Sequence, residues 1–374
     1  MIEKGKISAL QMALMMHPTI LATALLLVPA ITGKYAKQDM WISPIWASFV
    51  GFLVVYIAHQ FNRKFPKETV IQFSEKLVGF IPGKIIGFVF LFFYIHTMGI
   101  ILREYGEFVI GNFLKKTPLI VVIGSLVIVC ALAVHGGLEV IARSAQIFVP
   151  VVIFLLLIVT VLLIGELEPQ NMFPVMEKGM VPSLMGALVP ASWFTEYFLI
   201  SFLFPFIADR EKGFKWGMIS VFMVLFMMVM TNLFTLFLFG DITTTFTYPV
   251  MSAARYINIA DFLQHLESFI MAIWVAGTFV KISVFYYVIV IGTAQWLNLS
   301  DYHPIVYPLG FLCVCVSIWS ASGLGELSYF ISTIWPFYAI SIQVIIPIIL
   351  LLIAVLRKGT FPKEAGSSTL INKS

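Results

Sequence analysis

The feature that most constrains this chain is a succession of long apolar runs, with the charged residues crowded into the short segments between them. A membrane-spanning helix needs about 20 mostly apolar residues. The chain divides into ten such runs, near 8–32, 42–61, 84–110, 119–136, 146–165, 186–208, 214–239, 266–292, 304–320 and 330–356. The ninth is the shortest, with Pro304 and Pro308 in its first turns. Composition agrees: 60% of residues are hydrophobic and 11% charged, where a soluble domain carries about 25% charged residues. Too little polar surface remains to close a water-soluble globule, which excludes a cytosolic enzyme, a nucleic-acid binder and a disulfide scaffold. The expected fold class is an all-α integral membrane protein of ten transmembrane helices. They form one domain over 1–357, followed by a Lys-, Ser-, Thr- and Gly-rich tail, 358–374, that reads as disordered.

The first run follows Lys4 and Lys6, and Ala22-Thr23-Ala24 resembles a signal-peptide cleavage site. That tripeptide sits in mid-run with Leu25-Leu26-Leu27-Val28 after it, so the run reads as a retained first helix. Ten spans would put both termini on one side. Fifteen of the 23 Lys and Arg residues then share the termini side, seven face the other, and Lys281 stays inside a span. Basic loops mark the cytoplasmic face, so both termini are expected there. The net charge of +4 thus reflects orientation, since no basic stripe with interleaved aromatics exists to hold nucleic acid. Cys130, Cys313 and Cys315 lie in apolar stretches and read as small buried hydrophobes.

Two loops carry pattern. In 66–83, Val70, Phe73, Leu77 and Phe80 recur at helical spacing with Lys67, Glu68, Glu75 and Lys76 off that stripe, as in a short interfacial helix. In 241–265, Tyr248-Pro249 precedes a weakly amphipathic stretch, 251–262, long enough to fold over an extracytoplasmic vestibule.

Irregular backbone in lipid survives only where protein or a wet cavity satisfies its polar groups, so breaks within spans point at sites. The first span contains His17-Pro18-Thr19 and then Ala22-Thr23-Ala24; the sixth contains Pro190-Ala191-Ser192-Trp193-Phe194-Thr195-Glu196. Each alone could be a proline-kinked helix whose hydroxyls bond their own backbone. Together they open two groups of five spans, about 8–166 and 186–356, and interrupted helices at corresponding positions of two halves predict an inverted-repeat transporter fold. Residue-level similarity between the halves is not visible.

Glu196 and Lys281 lie deep in spans, where each costs about 2.5–3.5 kcal/mol on insertion scales. Thr278, Lys281 and Phe285 share one helix face. The ammonium of Lys281 could replace a coupling cation, pair with Glu196 or meet a substrate carboxylate; the plain alternative is a structural ion pair that fixes helix register. Tyr94, Thr97 and Ile101 line a third wall suited to a small zwitterion. Arg103 and Glu107 read as an i, i+4 interfacial pair beside Glu104. The six histidines are scattered without metal-ligand spacing and no nucleophile or phosphate-loop motif occurs, so no enzymatic activity and no cofactor is expected.

Several segments together resemble the B subunit of GerA-type spore germinant receptors, a branch of the amino acid, polyamine and organocation transporter superfamily. They are Leu27-Val28-Pro29, the run from Gly136-Gly137 to Ala142-Arg143, Met172-Phe173-Pro174-Val175, Thr195-Glu196, Phe239-Gly240, Tyr248-Pro249, Ala254-Arg255-Tyr256-Ile257 and Phe279-Val280-Lys281-Ile282-Ser283. The resemblance implies a LeuT-like 5+5 inverted repeat with helices 1 and 6 broken. It also implies a germinant pocket walled by Ala22, Thr23, Thr97, Trp193, Thr195, Glu196, Lys281 and Phe285. Its implied partners are a receptor A subunit, a lipoprotein C subunit and a small germinant, an amino acid foremost, in the spore inner membrane. Where many relatives have glycine in the unwound stretches, this chain has Ala22-Thr23-Ala24 and Trp193-Phe194-Thr195, a bulkier lining. A proton- or cation-coupled amino-acid permease is the competing expectation, and an ion-conducting subunit of a ligand-gated assembly a third.

Overall fold

A computed structural model describes residues 3–256 and 267–357. The expected tail and part of the 251–262 stretch lie outside the described residues. Helix α1 (Ala9–Ala36) starts at a capping box: the Ser8 hydroxyl accepts from the Gln11 backbone N–H while the Gln11 side chain accepts from the Ser8 N–H. It is buried on nearly all sides, as a helix that is apolar all round must be when it runs through a bundle centre. There follow α2 (Ser43–Lys64), α3 (Val70–Val78), α4 (Phe80–Asn112), α5 (Leu119–His135) and α6 (Leu138–Leu162). The second half holds α7 (Val181–Gly186), α8 (Leu188–Phe194), α9 (Ile200–Leu203), α10 (Gly213–Phe239), α11 (Pro249–Tyr256), α12 (Glu267–Trp296) and α13 (His303–Trp319). It closes with α14 (Leu324–Tyr329), α15 (Trp335–Ile340) and α16 (Ile346–Leu356), joined by π-helical turns into one long apolar element.

Among the described residues, eight helical elements are long and apolar enough to cross a membrane. The remaining two expected spans correspond to α5 and α13, which are apolar but 17 residues each. Helices α1 and α12 and the span from Leu188 to Phe206 are the most buried elements, with α10 packed along α1, α6 against both α1 and α12, and α4 against α12. Many large apolar side chains face outward, among them Phe88, Phe92, Phe154, Phe222 and Phe311. Such a surface needs lipid around it.

Both ends of the described chain meet at one end of the bundle, the near end. The Ile7 N–H donates to the Phe206 carbonyl (3.1 Å) and the Ala208 N–H to the Ile7 carbonyl (2.9 Å), while the Ala9 N–H is held by Asp209 Oδ1 (2.7 Å). Glu3 is buried and accepts from the Leu138 N–H (3.4 Å) and the Tyr302 hydroxyl (3.3 Å); burial and this carboxylate push the Tyr302 phenol above its ordinary pKa. Arg357 donates to the Leu77 carbonyl and Lys64 Nζ to that of Ala354 (3.2 Å). The amphipathic helix expected within 66–83 is α3, with Thr69 as its capping residue and Val70, Phe73 and Leu77 buried. Phe80 departs from that stripe: Gly79, at φ +95°, ends α3 and starts α4, and Phe80 is left exposed.

Candidate functional site

The first half of the expected symmetry is not met. Helix α1 runs unbroken through Pro18 and Pro29. A proline removes one backbone donor and strands the carbonyl four residues back, that of Leu14 for Pro18 and of Leu25 for Pro29; the nearby hydroxyls turn instead to the carbonyls four residues before their own, Thr19 Oγ1 donating to Met15 (2.7 Å) and Thr32 Oγ1 to Val28 (2.8 Å). The sixth span is interrupted as expected. After α8 the backbone tightens to 3-10 turns over Thr195–Leu199, returns to α over four residues, and tightens again at Phe204–Phe206. Ser192 Oγ takes the Val189 carbonyl and Thr195 Oγ1 that of Ser192, each at 2.6 Å, so side chains compete with the helical ladder where it changes.

This interruption brings Glu196 against Lys281 of α12. Lys281 Nζ lies 2.8 Å from Glu196 Oε2 and 3.1 Å from Oε1, and donates to Thr23 Oγ1 at 2.9 Å. An ammonium has three donors, and the Glu196 carboxylate and the Thr23 hydroxyl both accept from it. The pair is fully buried, 0% and 1% exposed at the side chains. A bare charge in such a place would be prohibitive; the contacts neutralise it and tie α1, the interrupted helix and α12 at one point. The Phe285 ring lies 5.6 Å from the ammonium and 6.0 Å from the Tyr94 ring. Tyr94 donates to Gln343 Oε1 (3.4 Å), and Gln343 Nε2 donates to Thr195 Oγ1 (2.7 Å). The polar ring therefore runs from α12 through α4 and the α15–α16 element back to the interrupted helix.

Of the eight site residues expected from sequence, Thr23, Thr195, Glu196, Lys281 and Phe285 belong to this connected arrangement. Trp193 is buried beside it. Thr97 spends its hydroxyl on the Phe93 carbonyl of its own helix (2.7 Å). Ala22 faces away, lining a cavity of about 20 Å³ with His17, Val149 and Gly277; neighbours on a helix are separated by about 100°, so Ala22 and Thr23 cannot serve one pocket equally. Sequence reasoning missed Gln343, although a glutamine inside the most apolar span was a visible signal.

Larger cavities lie at the bundle ends. One of about 390 Å³ at the far end is walled by Leu27, Ile31, Lys34, Thr244–Thr247 and Ser332. There the loop after α10 folds over the end of α1, as its length predicts. Another, about 410 Å³, lies at the near end between Glu3, Lys67 and Gln295. At the far end Tyr248 is buried against Phe108; burial, then the carboxylates of Glu104 and Glu107, hold its phenol above the ordinary pKa, so it stays a neutral hydroxyl. The expected Arg103–Glu107 pair forms at 2.7 Å and is largely buried.

Residues 6–323 match the family described as spore germination protein. Spore germination protein KB of Bacillus subtilis is 27% identical over 97% of this chain and 98% of its own length. The putative spore germination protein YfkT of the same organism is 25% identical over 89% and 92%. Among solved structures, a Na+-coupled sialic acid symporter superposes with a TM-score of 0.63 at 13% identity, covering 94% of this chain and 84% of that one. MhsT in complex with L-phenylalanine does so with 0.63 at 14%, covering 94% and 99%. The fold is that of the LeuT-type transporters.

Proposed function

We propose, from the premise that this chain belongs to the spore germination protein family, that it is a germinant receptor subunit which binds a small nutrient, an amino acid foremost. The pocket lies between α1, α4, the interrupted sixth span and α12. Closure around the ligand passes to an A subunit and a lipoprotein C subunit in the spore inner membrane, with α5 and α13 as the last two of ten spans and both termini cytoplasmic. The observation that carries the reading is the buried Lys281–Glu196 pair held by Thr23. It sits where the irregular sixth helix meets two others, the place where transporters of this architecture hold substrate and coupling ion, and the Lys281 Nζ stands in the place of a coordinated cation. Signalling is a population shift: the ligand favours one packing of these helices, by no more than its differential affinity for it.

The likeness to a Na+-coupled symporter favours a second reading, a coupled amino-acid permease. Two measurements separate the readings. Spores lacking and then regaining this subunit are screened for germination with amino acids, sugars and nucleosides, and restoration of one nutrient response is expected. Proteoliposomes carrying the isolated chain should show no concentrative uptake of labelled amino acids; robust uptake would replace the receptor reading with the permease.

A further inference from the structure

The α4 face that carries Thr97 and Ile101 continues through Glu104 and Phe108, at steps that keep all four in line. Ring contacts fix its register against α12: Tyr94 lies 6.0 Å from Phe285, and Phe108 lies 4.9 Å from Trp274. The helices run antiparallel, so Glu104, one turn before Phe108, comes level with Thr278, one turn after Trp274. Tyr248 closes the far end of this strip, 5.1 Å from the Phe108 ring. Glu104, Thr278, Trp274 and Tyr248 are 3%, 0%, 1% and 8% exposed. Each has a buried polar atom without a hydrogen-bond partner among the described residues: Glu104 Oε1, Thr278 Oγ1, Trp274 Nε1 and the Tyr248 hydroxyl.

Neighbouring charges do not account for Glu104. Arg103 directs Nε and Nη2 to Glu107, at 2.9 and 2.7 Å. Lys281 is engaged by Glu196 and Thr23. With those two pairs matched to each other, Glu104 is the ionisable group of the strip left without a cation of its own. Buried polar groups in native proteins are nearly always paired, and each exception asks for an explanation. Other unpaired atoms occur among the described residues, Ser283 Oγ and Tyr287 Oη on the same helix among them, but these four lie together and are chemically complementary: a carboxyl group, an indole N–H that only donates, and two hydroxyls that do either.

We infer that this strip is the ligand-contacting part of the pocket, and that it takes a small zwitterion. Its ammonium donates to Glu104, and its carboxylate accepts from the Trp274 N–H and the hydroxyls of Tyr248 and Thr278. The inference rests on the nutrient-binding reading and deepens it, assigning recognition to Glu104 while the Lys281–Glu196 pair holds the helices.

The full-length chain in lipid nanodiscs tests this by calorimetric titration with each proteinogenic L-amino acid, its N-acetyl derivative, and glucose. At least one free amino acid should bind, its N-acetyl derivative, which lacks the ammonium, about tenfold or more weaker. E104Q should weaken the free amino acid by a similar factor and leave the acetylated one unchanged. Trp274→Phe and Tyr248→Phe should each weaken the free amino acid less, and they carry the test if E104Q does not fold. Equal binding by wild type and E104Q, equal binding of free and acetylated forms, or binding of glucose alone overturns the assignment and spares the nutrient reading. Binding of none of these overturns the assignment, and a spore screen that also restores no response to any amino acid, sugar or nucleoside overturns the nutrient reading as well.

Discussion

Three positions of α12, from Lys281 to Thr278, separate two opposite treatments of buried polar groups. At Lys281 the ammonium is met by the Thr23 hydroxyl and by both oxygens of the opposing carboxylate. From Thr278 back to Trp274, and across to Glu104 and Tyr248, polar atoms equally shielded from solvent have no partners. The contrast separates what the fold needs in order to stand from what it keeps ready for something else: a satisfied pair fixes helix register, whereas unpaired groups destabilise the protein by itself and make sense where a ligand completes them.

The largest expected effect comes from breaking the satisfied side. Lys281→Ala leaves the Glu196 carboxylate buried without its cation, and Glu196→Ala strands the ammonium; removing one partner of a buried pair costs about 3–5 kcal/mol. Either variant should lower the melting temperature of the purified protein and abolish the germination response, while Lys281→Met with Glu196→Leu recovers most of the stability without the response. Full response in both single variants would refute a role for the pair. Next comes Thr23→Val, which removes one hydrogen bond to a charged group at nearly constant volume, worth about 1.5–3 kcal/mol. A melting temperature unchanged from wild type would show that α1 is not held through this contact.

What the sequence made legible follows from the same contrast. Glu196 and Lys281 stood out because ionisable residues within spans are rare and costly, so their pairing could be anticipated from scarcity. Glu104 was equally buried but hidden by its neighbours: Arg103 and Glu107 beside it look like the charged end of a helix, and only the line through Thr97, Ile101 and Phe108 marks it as inward. The interruption of the sixth span was readable from Pro190 to Glu196. The continuity of α1 was not, because Pro18 signals a break while the packing that holds the helix around it comes from residues distant in sequence. Gln343 acquired its role from long-range packing, reaching Thr195 across 148 residues of sequence, and pattern within one span cannot reveal such a partner.

The smallest expected effect gives the sharpest contrast, because it repeats the Thr23 substitution on the unpaired side. Thr278→Val makes the same chemical change on the same helix bundle at a residue that is also 0% exposed. The Thr278 hydroxyl has no partner to lose, so its replacement by a methyl group relieves an uncompensated desolvation. The ligand-free protein should be unchanged or more stable by up to about 1 kcal/mol, opposite in sign to Thr23→Val. Under saturating ligand the order should reverse, with wild type gaining more melting temperature than the variant, since a ligand stabilises in proportion to how tightly it binds the folded state. Were Thr278→Val to destabilise the ligand-free chain as much as Thr23→Val, its hydroxyl would have to be satisfied within the protein, and the division of α12 into a structural turn and a receptive turn would fall.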